Sequence, residues 1–137
     1  MIIMQKPLFL LLFLTAATLF VGCGGERTPQ EEVKESFMGA MDALNNRRFD
    51  EYIDCVDFGC ELDSIQKDVF VKTYSQYLER VQHYKGSLQK LEVVDVAFSS
   101  DSVCDVYYET LYSDSIAEQH SQKMVRIGDT WKIKARN

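Results

Sequence analysis

Hydrophobic side chains between residues 28 and 86 recur every three or four positions, which is the spacing of one face of a helix. The first helix is predicted to begin after Thr28, because Pro29 suits the first helical position and Glu31 completes a Thr-x-x-Glu capping box. The pair Asn45-Asn46 then interrupts the pattern. The apolar stripe of this helix consists of Val33, Phe37, Ala40, Met41 and Leu44.

Two further helices are predicted before residue 87. A short second helix is indicated by the spacing of Phe49, Tyr52, Ile53 and Val56. The third can be capped by Asp63 or Ser64, and Gly86 should end it. Its stripe consists of Phe70, Tyr74, Tyr77, Leu78 and Val81.

From residue 87 the hydrophobic period changes to two, which indicates β-strands. We predict four strands, at 87–98, 102–113, 116–127 and 130–135, separated by polar turns at 99–101 and 113–115 and by a tight turn at Gly128-Asp129. Helices followed by consecutive strands are typical of an α+β domain. The expected fold is therefore three N-terminal helices packed on a curved, antiparallel, four-stranded sheet.

The first residues of the chain have a different pattern. Lys6 is followed by a run without charge from Leu8 to Phe20, and small residues then lead to Cys23. This order is typical of an export signal. The uncharged run is shorter than the roughly 20 apolar residues that a membrane-spanning helix needs. We therefore expect a signal peptide rather than a spanning anchor.

The segment Phe20-Val21-Gly22-Cys23 resembles the lipobox of bacterial lipoproteins, although Leu is more usual at the first position. The resemblance implies that Cys23 receives a diacylglyceryl group and that the signal peptidase cuts between Gly22 and Cys23. It divides the chain into a signal peptide (1–22), a lipidated tether (23–28) and a folded domain (29–137). The protein would then be anchored in the cell envelope. Gly24 in place of Asp favours the outer membrane if the cell has one.

Motifs of the predicted domain resemble those of another known family. They are P-x-E-x-V and F-x-x-A in the first helix, a turn of the form N-x-R-F-x-x-Y, and V-R-x-G-D-x-W-K-I at the end. These motifs resemble small lipoproteins of unknown function with a nuclear-transport-factor-2-like (NTF2-like), or cystatin-like, fold. The resemblance implies a cone-shaped domain with a pocket between helices and sheet, and it specifies packing rather than chemistry. The matching residues are Pro29, Glu31, Val33, Phe37, Ala40, Phe49, Tyr52, Val125, Arg126, Gly128, Asp129, Trp131, Lys132 and Ile133.

Composition and cysteine usage exclude several classes of function. The formal net charge is -6 without a Lys/Arg-rich stripe, so we expect no nucleic-acid partner. The cysteines show no Cys-x-x-Cys spacing and have no His pair nearby. We therefore expect no metal or other cofactor. Beyond Cys23, a disulfide could join Cys55 to Cys60 or Cys60 to Cys104, and free thiols are the alternative.

The strand at 102–113 can turn either of two faces toward the core. Cys104, Val106, Tyr108, Thr110 and Tyr112 form the more apolar face, which we expect inside. In the opposite orientation, Asp105, Tyr107 and Glu109 would line the pocket, and the two carboxylates could share proton transfer.

Aromatic side chains could surround a small apolar ligand, although they are equally suited to an ordinary core. We expect a non-catalytic, ligand-binding accessory module; a scaffold for another envelope protein and an acid–base enzyme are the alternatives. The candidate pocket residues are Tyr74, Tyr77, Asp105, Tyr107, Tyr108, Glu109 and Trp131.

Overall fold

A computed structural model describes residues 27–135, which contain three helices. They are α1 (Pro29–Asn45), α2 (Phe49–Asp54) and α3 (Ser64–Lys85). Both long helices begin with the expected caps. The Thr28 and Asp63 side chains accept hydrogen bonds from the backbone N–H three residues later, and the side-chain oxygens of Glu31 and Gln66 accept from the backbone N–H of the two cap residues. Local capping therefore sets the start of α1 and of α3, as the sequence predicts.

The strands form one mixed sheet of five strands, so the expectation of four antiparallel strands was wrong. The strands are β1 (Val56–Asp57), β2 (Leu88–Ser100), β3 (Val103–Tyr112), β4 (Ala117–Ile127) and β5 (Thr130–Lys134), in the order β1-β5-β4-β3-β2. Strands β2 to β5 are antiparallel neighbours, whereas β1 runs parallel to β5.

The additional strand β1 comes from the segment that was predicted as the end of the second helix. Helix α2 ends at Asp54, and Val56 pairs with Ile133. The backbone N–H of Ile133 donates to the Cys55 carbonyl at 2.9 Å, and that of Ala135 donates to the Asp57 carbonyl at 3.0 Å. These bonds satisfy backbone groups at the edge of β5, which would otherwise need water as a partner.

Turns and bulges shape the sheet. Gly128 is the first residue of the two-residue loop between β4 and β5, and its φ is +62°. A type II′ turn requires a positive φ at this position, which favours glycine. Strand β2 extends to Ser100, so its turn is shorter than predicted. Three register shifts interrupt the pairing of β2 with β3, and irregularities of this kind bend a strand.

The core lies between α1 and the face of the sheet that we call the inner face. Helix α1 packs on β2 and β5, and α2 lies between α1 and α3. Helix α3 fully buries Leu78 alone, while Tyr77 of its predicted stripe is 46% exposed. Among residues 27–135, no helix combines the length and the apolar character needed to cross a membrane. The buried apolar residues include Val33, Phe37, Ala40, Leu44, Val106, Met124 and Ile133.

Candidate functional site

Strand β3 turns its more apolar side chains inward, as the alternation predicts. Cys104 and Val106 are completely buried and Thr110 is 5% exposed. Asp105, Tyr107 and Glu109 lie on the outer face of the sheet, where Asp105 is 3.8 Å from Lys123 of β4. The orientation that would have brought two carboxylates of this strand into a pocket is therefore not adopted.

Tyrosines and a small set of polar side chains gather where α2, α3, β3 and β4 meet on the inner face. Cross-strand pairing brings Tyr108 opposite His120 and Thr110 opposite Glu118, so that all four side chains share this face. Lys85 reaches the group from the last turn of α3. We call this set the inner-face cluster; it contains Tyr52, Tyr74, Tyr77, Lys85, Tyr108, Thr110, Tyr112, Glu118 and His120.

Polar side chains of the cluster form a connected chain. Thr110 Oγ1 and His120 Nε2 are hydrogen bonded at 2.9 Å, and His120 Nε2 lies 3.7 Å from Glu118 Oε2. The Lys85 ammonium donates to both oxygens of Glu118, at 2.9 and 2.6 Å. The side chains of Lys85, Glu118 and His120 are 34%, 32% and 35% exposed, so solvent reaches them. A polar group of a ligand could reach them by the same route.

Aromatic rings line the deeper part of the cluster. Tyr52 meets Tyr74 edge to face with ring centroids 4.9 Å apart, and Tyr108 stacks on His120 at 5.0 Å. Behind them, Phe37 of α1 packs against Tyr108 at 4.8 Å. Rings in such offset and edge contacts give a rigid apolar surface with polar tips. The cluster therefore combines packed aromatic rings with a few polar groups close by.

Burial holds three phenols of this cluster in the neutral form. Burial raises the pKa of Tyr52 well above its ordinary value, and the neighbouring Tyr74 and Tyr108 raise it further. Burial likewise raises the pKa of Tyr74 and of Tyr112. The hydrogen bond to Glu118 raises the pKa of Lys85. At neutral pH Tyr52, Tyr74 and Tyr112 are therefore uncharged, and Lys85 is an ammonium.

The structure brings together only some of the residues that the sequence suggested. Tyr74, Tyr77 and Tyr108 belong to the inner-face cluster. Trp131 is buried elsewhere, with its ring 5.8 Å from that of Phe98. Sequence reasoning did not select Tyr52, Lys85, Thr110, Glu118 or His120 as pocket residues. The alternation of Glu118, His120 and Gln122 along β4 was the available signal, because strand residues two apart share a face.

Two clefts lie away from this cluster. One, of about 480 Å³, lies between the start of α1 and the β4–β5 turn; it includes Trp131 and the pairs Arg27–Glu35 and Arg126–Asp129. The charged groups of these two pairs thus already have partners. The other, of about 470 Å³, is a depression on the exposed side of α3 beside His83 and Tyr84. Neither cleft is lined by a residue of the inner-face cluster.

The three cysteines within residues 27–135 are free thiols, so neither the Cys55–Cys60 nor the Cys60–Cys104 disulfide is present. Cys104 is buried on the inner face of the sheet, where burial raises the pKa of its thiol to about 11, whereas Cys60 is exposed in a loop. Within the described part of the chain, no group of three or more His, Cys, Asp or Glu side chains is arranged to hold a metal ion. The proposed cleavage and lipidation site at Gly22 and Cys23 lies outside the described residues.

Comparison with solved structures identifies the fold. The chain is similar to a protein of Campylobacter jejuni described as a candidate NTF2-like transpeptidase, with a TM-score of 0.57 and 5% identity over 72% of this chain and 93% of that one. A protein from Catenulispora acidiphila is 20% identical over 87% of this chain and 88% of its own, with a TM-score of 0.47. No protein-family model matches the chain, and no curated protein matches it. The first likeness shows an NTF2-like fold and, at this identity, the fold alone.

Proposed function

We propose that this protein is an envelope lipoprotein whose NTF2-like domain binds a small, largely apolar ligand at the inner-face cluster. The observation that carries the proposal is the combination of clustered aromatic rings with polar groups that remain open to solvent. Small-molecule sites are typically apolar and aromatic surfaces with a few convergent polar groups. Here the rings of Tyr74 and Tyr108 would supply the apolar surface, and His120 would supply a hydrogen bond.

The exposed edge of the cluster supports a binding role rather than a purely structural one. Tyr77 is 46% exposed although it belongs to the α3 stripe that faces the sheet, and it lies close enough to Tyr112 to influence its pKa. A tyrosine that served only as core would be expected to bury most of its ring. The partly exposed ring is therefore available to cover a ligand.

Removal of the Tyr77 ring should weaken ligand binding without unfolding the domain. We expect apolar small molecules to raise the thermal midpoint of the full chain, followed by tryptophan fluorescence, and Tyr77→Ala to remove most of that shift. The matched control is Tyr107→Ala, because Tyr107 is 44% exposed but lies on the outer face. It should leave the shift intact.

Other outcomes of this screen would favour a different function. If Tyr107→Ala and Tyr77→Ala weakened binding equally, the inner-face cluster would not be the site. If no small molecule stabilised the chain and it co-purified with another envelope protein, the result would favour the scaffold function instead. An acid–base enzyme would require turnover that depends on Asp105 or Glu109, both outside the inner-face cluster.

The proposed anchor and the proposed site would lie at opposite ends of the domain. Arg27 precedes α1 and lines a cleft with Arg126 and Asp129, so the tether enters beside the β4–β5 turn. Lys85 and Glu118 lie near the β3–β4 turn, at the other end of the strands. The linker from Gly24 to Thr28 spans at most roughly 17 Å. The ligand site would therefore face away from the bilayer, where a soluble ligand can enter.

Cys23→Ser should release the protein from the membrane fraction. A serine hydroxyl is a much poorer nucleophile than a thiolate, so lipid attachment at this position should be abolished. We expect labelled fatty acid to be incorporated into the natural chain and not into the variant. A Cys60→Ser control should remain membrane-bound and labelled, because Cys60 lies within the folded domain. Equal fractionation of Cys23→Ser and the natural chain would contradict the lipoprotein proposal.

A further inference from the structure

The ammonium group of Lys85 occupies a defined position at the edge of the inner-face cluster. It donates hydrogen bonds of 2.9 and 2.6 Å to the two oxygens of Glu118 and lies 5.6 Å from the centroid of the Tyr112 ring. A carboxylate and an aromatic face at these distances form a site for a positive charge. The protein's own side chain shows that an ammonium fits there.

The surroundings of this site favour a cation over an anion. The faces of tyrosine rings are electron-rich, and Tyr77 lies close enough to Tyr112 to influence its pKa. Glu118 is the one carboxylate that the cluster contains. The chain as a whole carries a formal net charge of -6, which raises the local concentration of cations near its surface.

Lys85 can leave the site at small cost. Its side chain is 34% exposed and sits at the end of α3, so its flexible stem can turn the ammonium into water. Partly exposed ion pairs of this kind contribute little to stability, because solvent screens both charges. A second ammonium that also gained contact with the rings would therefore compete successfully.

We propose that the ligand of the inner-face cluster carries an alkylammonium group, which takes the place of the Lys85 ammonium between Glu118 and Tyr112. This inference rests on the proposed ligand-binding function and names the chemical class of the ligand. The alkyl substituents would contact the tyrosine rings, and the charge would be balanced by Glu118. Lys85 keeps the carboxylate paired while the ligand is absent.

Three soluble probes of the same shape test the charge of the ligand. They are choline, its neutral carbon analogue 3,3-dimethylbutan-1-ol, and the anion 3,3-dimethylbutyrate. The chain contains two histidines, so the ring-proton NMR signals of the full chain give a local readout at His120, assigned by comparison with His83→Gln. We expect choline to bind about tenfold more tightly than the alcohol, the size of one cation–π and ion-pair contact.

Two variants at the site should change the affinity for choline in opposite directions. Glu118→Gln removes the counter-charge and should weaken choline binding about tenfold. Lys85→Met removes the competing ammonium and should strengthen it by a similar factor. Neither variant should change binding of the neutral alcohol by more than about twofold, which separates an effect on charge from a loss of the site.

Each other outcome overturns the inference in a recognisable way. If choline and the alcohol bound equally well and Glu118→Gln had no effect, the site would be apolar without specificity for a cation. Tighter binding of 3,3-dimethylbutyrate, lost in Lys85→Met, would make the ligand an anion held by Lys85. If none of the three probes shifts the His120 signal, the alkylammonium proposal fails. The thermal screen with larger apolar molecules would then decide on the ligand-binding function separately.

Discussion

Phe37→Ala is expected to lower the free energy of unfolding by about 3–5 kcal/mol, because it leaves a cavity at the centre of the core. Phe37 has no solvent-exposed surface, and its ring packs against Tyr108 at 4.8 Å. Domains of this size are stable by only about 5–15 kcal/mol. The variant should therefore lose a large part of its stability, measured by urea denaturation of the full chain with circular dichroism.

Phe98→Ala is the matched control, since Phe98 is 37% exposed and contacts Trp131 at the edge of the core. We expect it to cost about 1–2 kcal/mol, because part of its ring is already in water. Equal losses for the two substitutions would contradict the assignment of Phe37 to the centre of the core. Phe37 also supports Tyr108 from behind, so any folded Phe37→Ala protein should bind ligands of the inner-face cluster more weakly.

The sequence was sufficient to predict the helices and the long strands, because their signals are local. The capping box at Thr28 and the stripe from Val33 to Leu44 lie within one helix, and the glycine turn at Gly128 lies between two adjacent strands. Strand β1 could not be recognised in this way. It has two residues, which is too short for any periodicity, and it exists because β5 offers unpaired backbone groups beside it.

Prediction of the site was limited by register and by contacts between distant segments. The alternation of apolar and polar residues along β3 was enough to predict its inward face, because Cys104 and Val106 are more apolar than Asp105. The meeting of Thr110 with His120 depends on the pairing of β3 with β4, and a shift of one residue would place His120 on the outer face. Lys85 and Glu118 are 33 residues apart. Only the closed fold brings them together, so no sequence motif could reveal the pair.

Gly86→Ala is expected to destabilise the domain by about 2–4 kcal/mol, from backbone strain and from overlap with a neighbouring side chain. Gly86 ends α3 with φ +83° and ψ −156°, a conformation that is essentially restricted to glycine. A Cβ there would lie 1.8 Å from Ser113 Oγ and 3.2 Å from Ser113 Cβ. The junction is also tied to the β3–β4 turn, because the Asp114 N–H donates to the Lys85 carbonyl at 3.0 Å. The variant should therefore also disturb the pairing of Lys85 with Glu118.

A double-mutant cycle with Ser113→Ala separates the two sources of this loss. Ser113→Ala alone removes the acceptor of the Ser87 N–H and should cost about 1 kcal/mol. In that background Gly86→Ala meets no Oγ, and only the Cβ of residue 113, at 3.2 Å, remains close. Its remaining cost should therefore be mainly the backbone strain of about 1–3 kcal/mol. Gly39→Ala is the control of opposite sign: Gly39 is exposed within α1, with no atom within 4 Å of an added Cβ. That substitution should stabilise the domain by about 0.5–1 kcal/mol, as alanine does in a helix. If Gly86→Ala also proved stabilising, the glycine-only geometry at the end of α3 would be refuted.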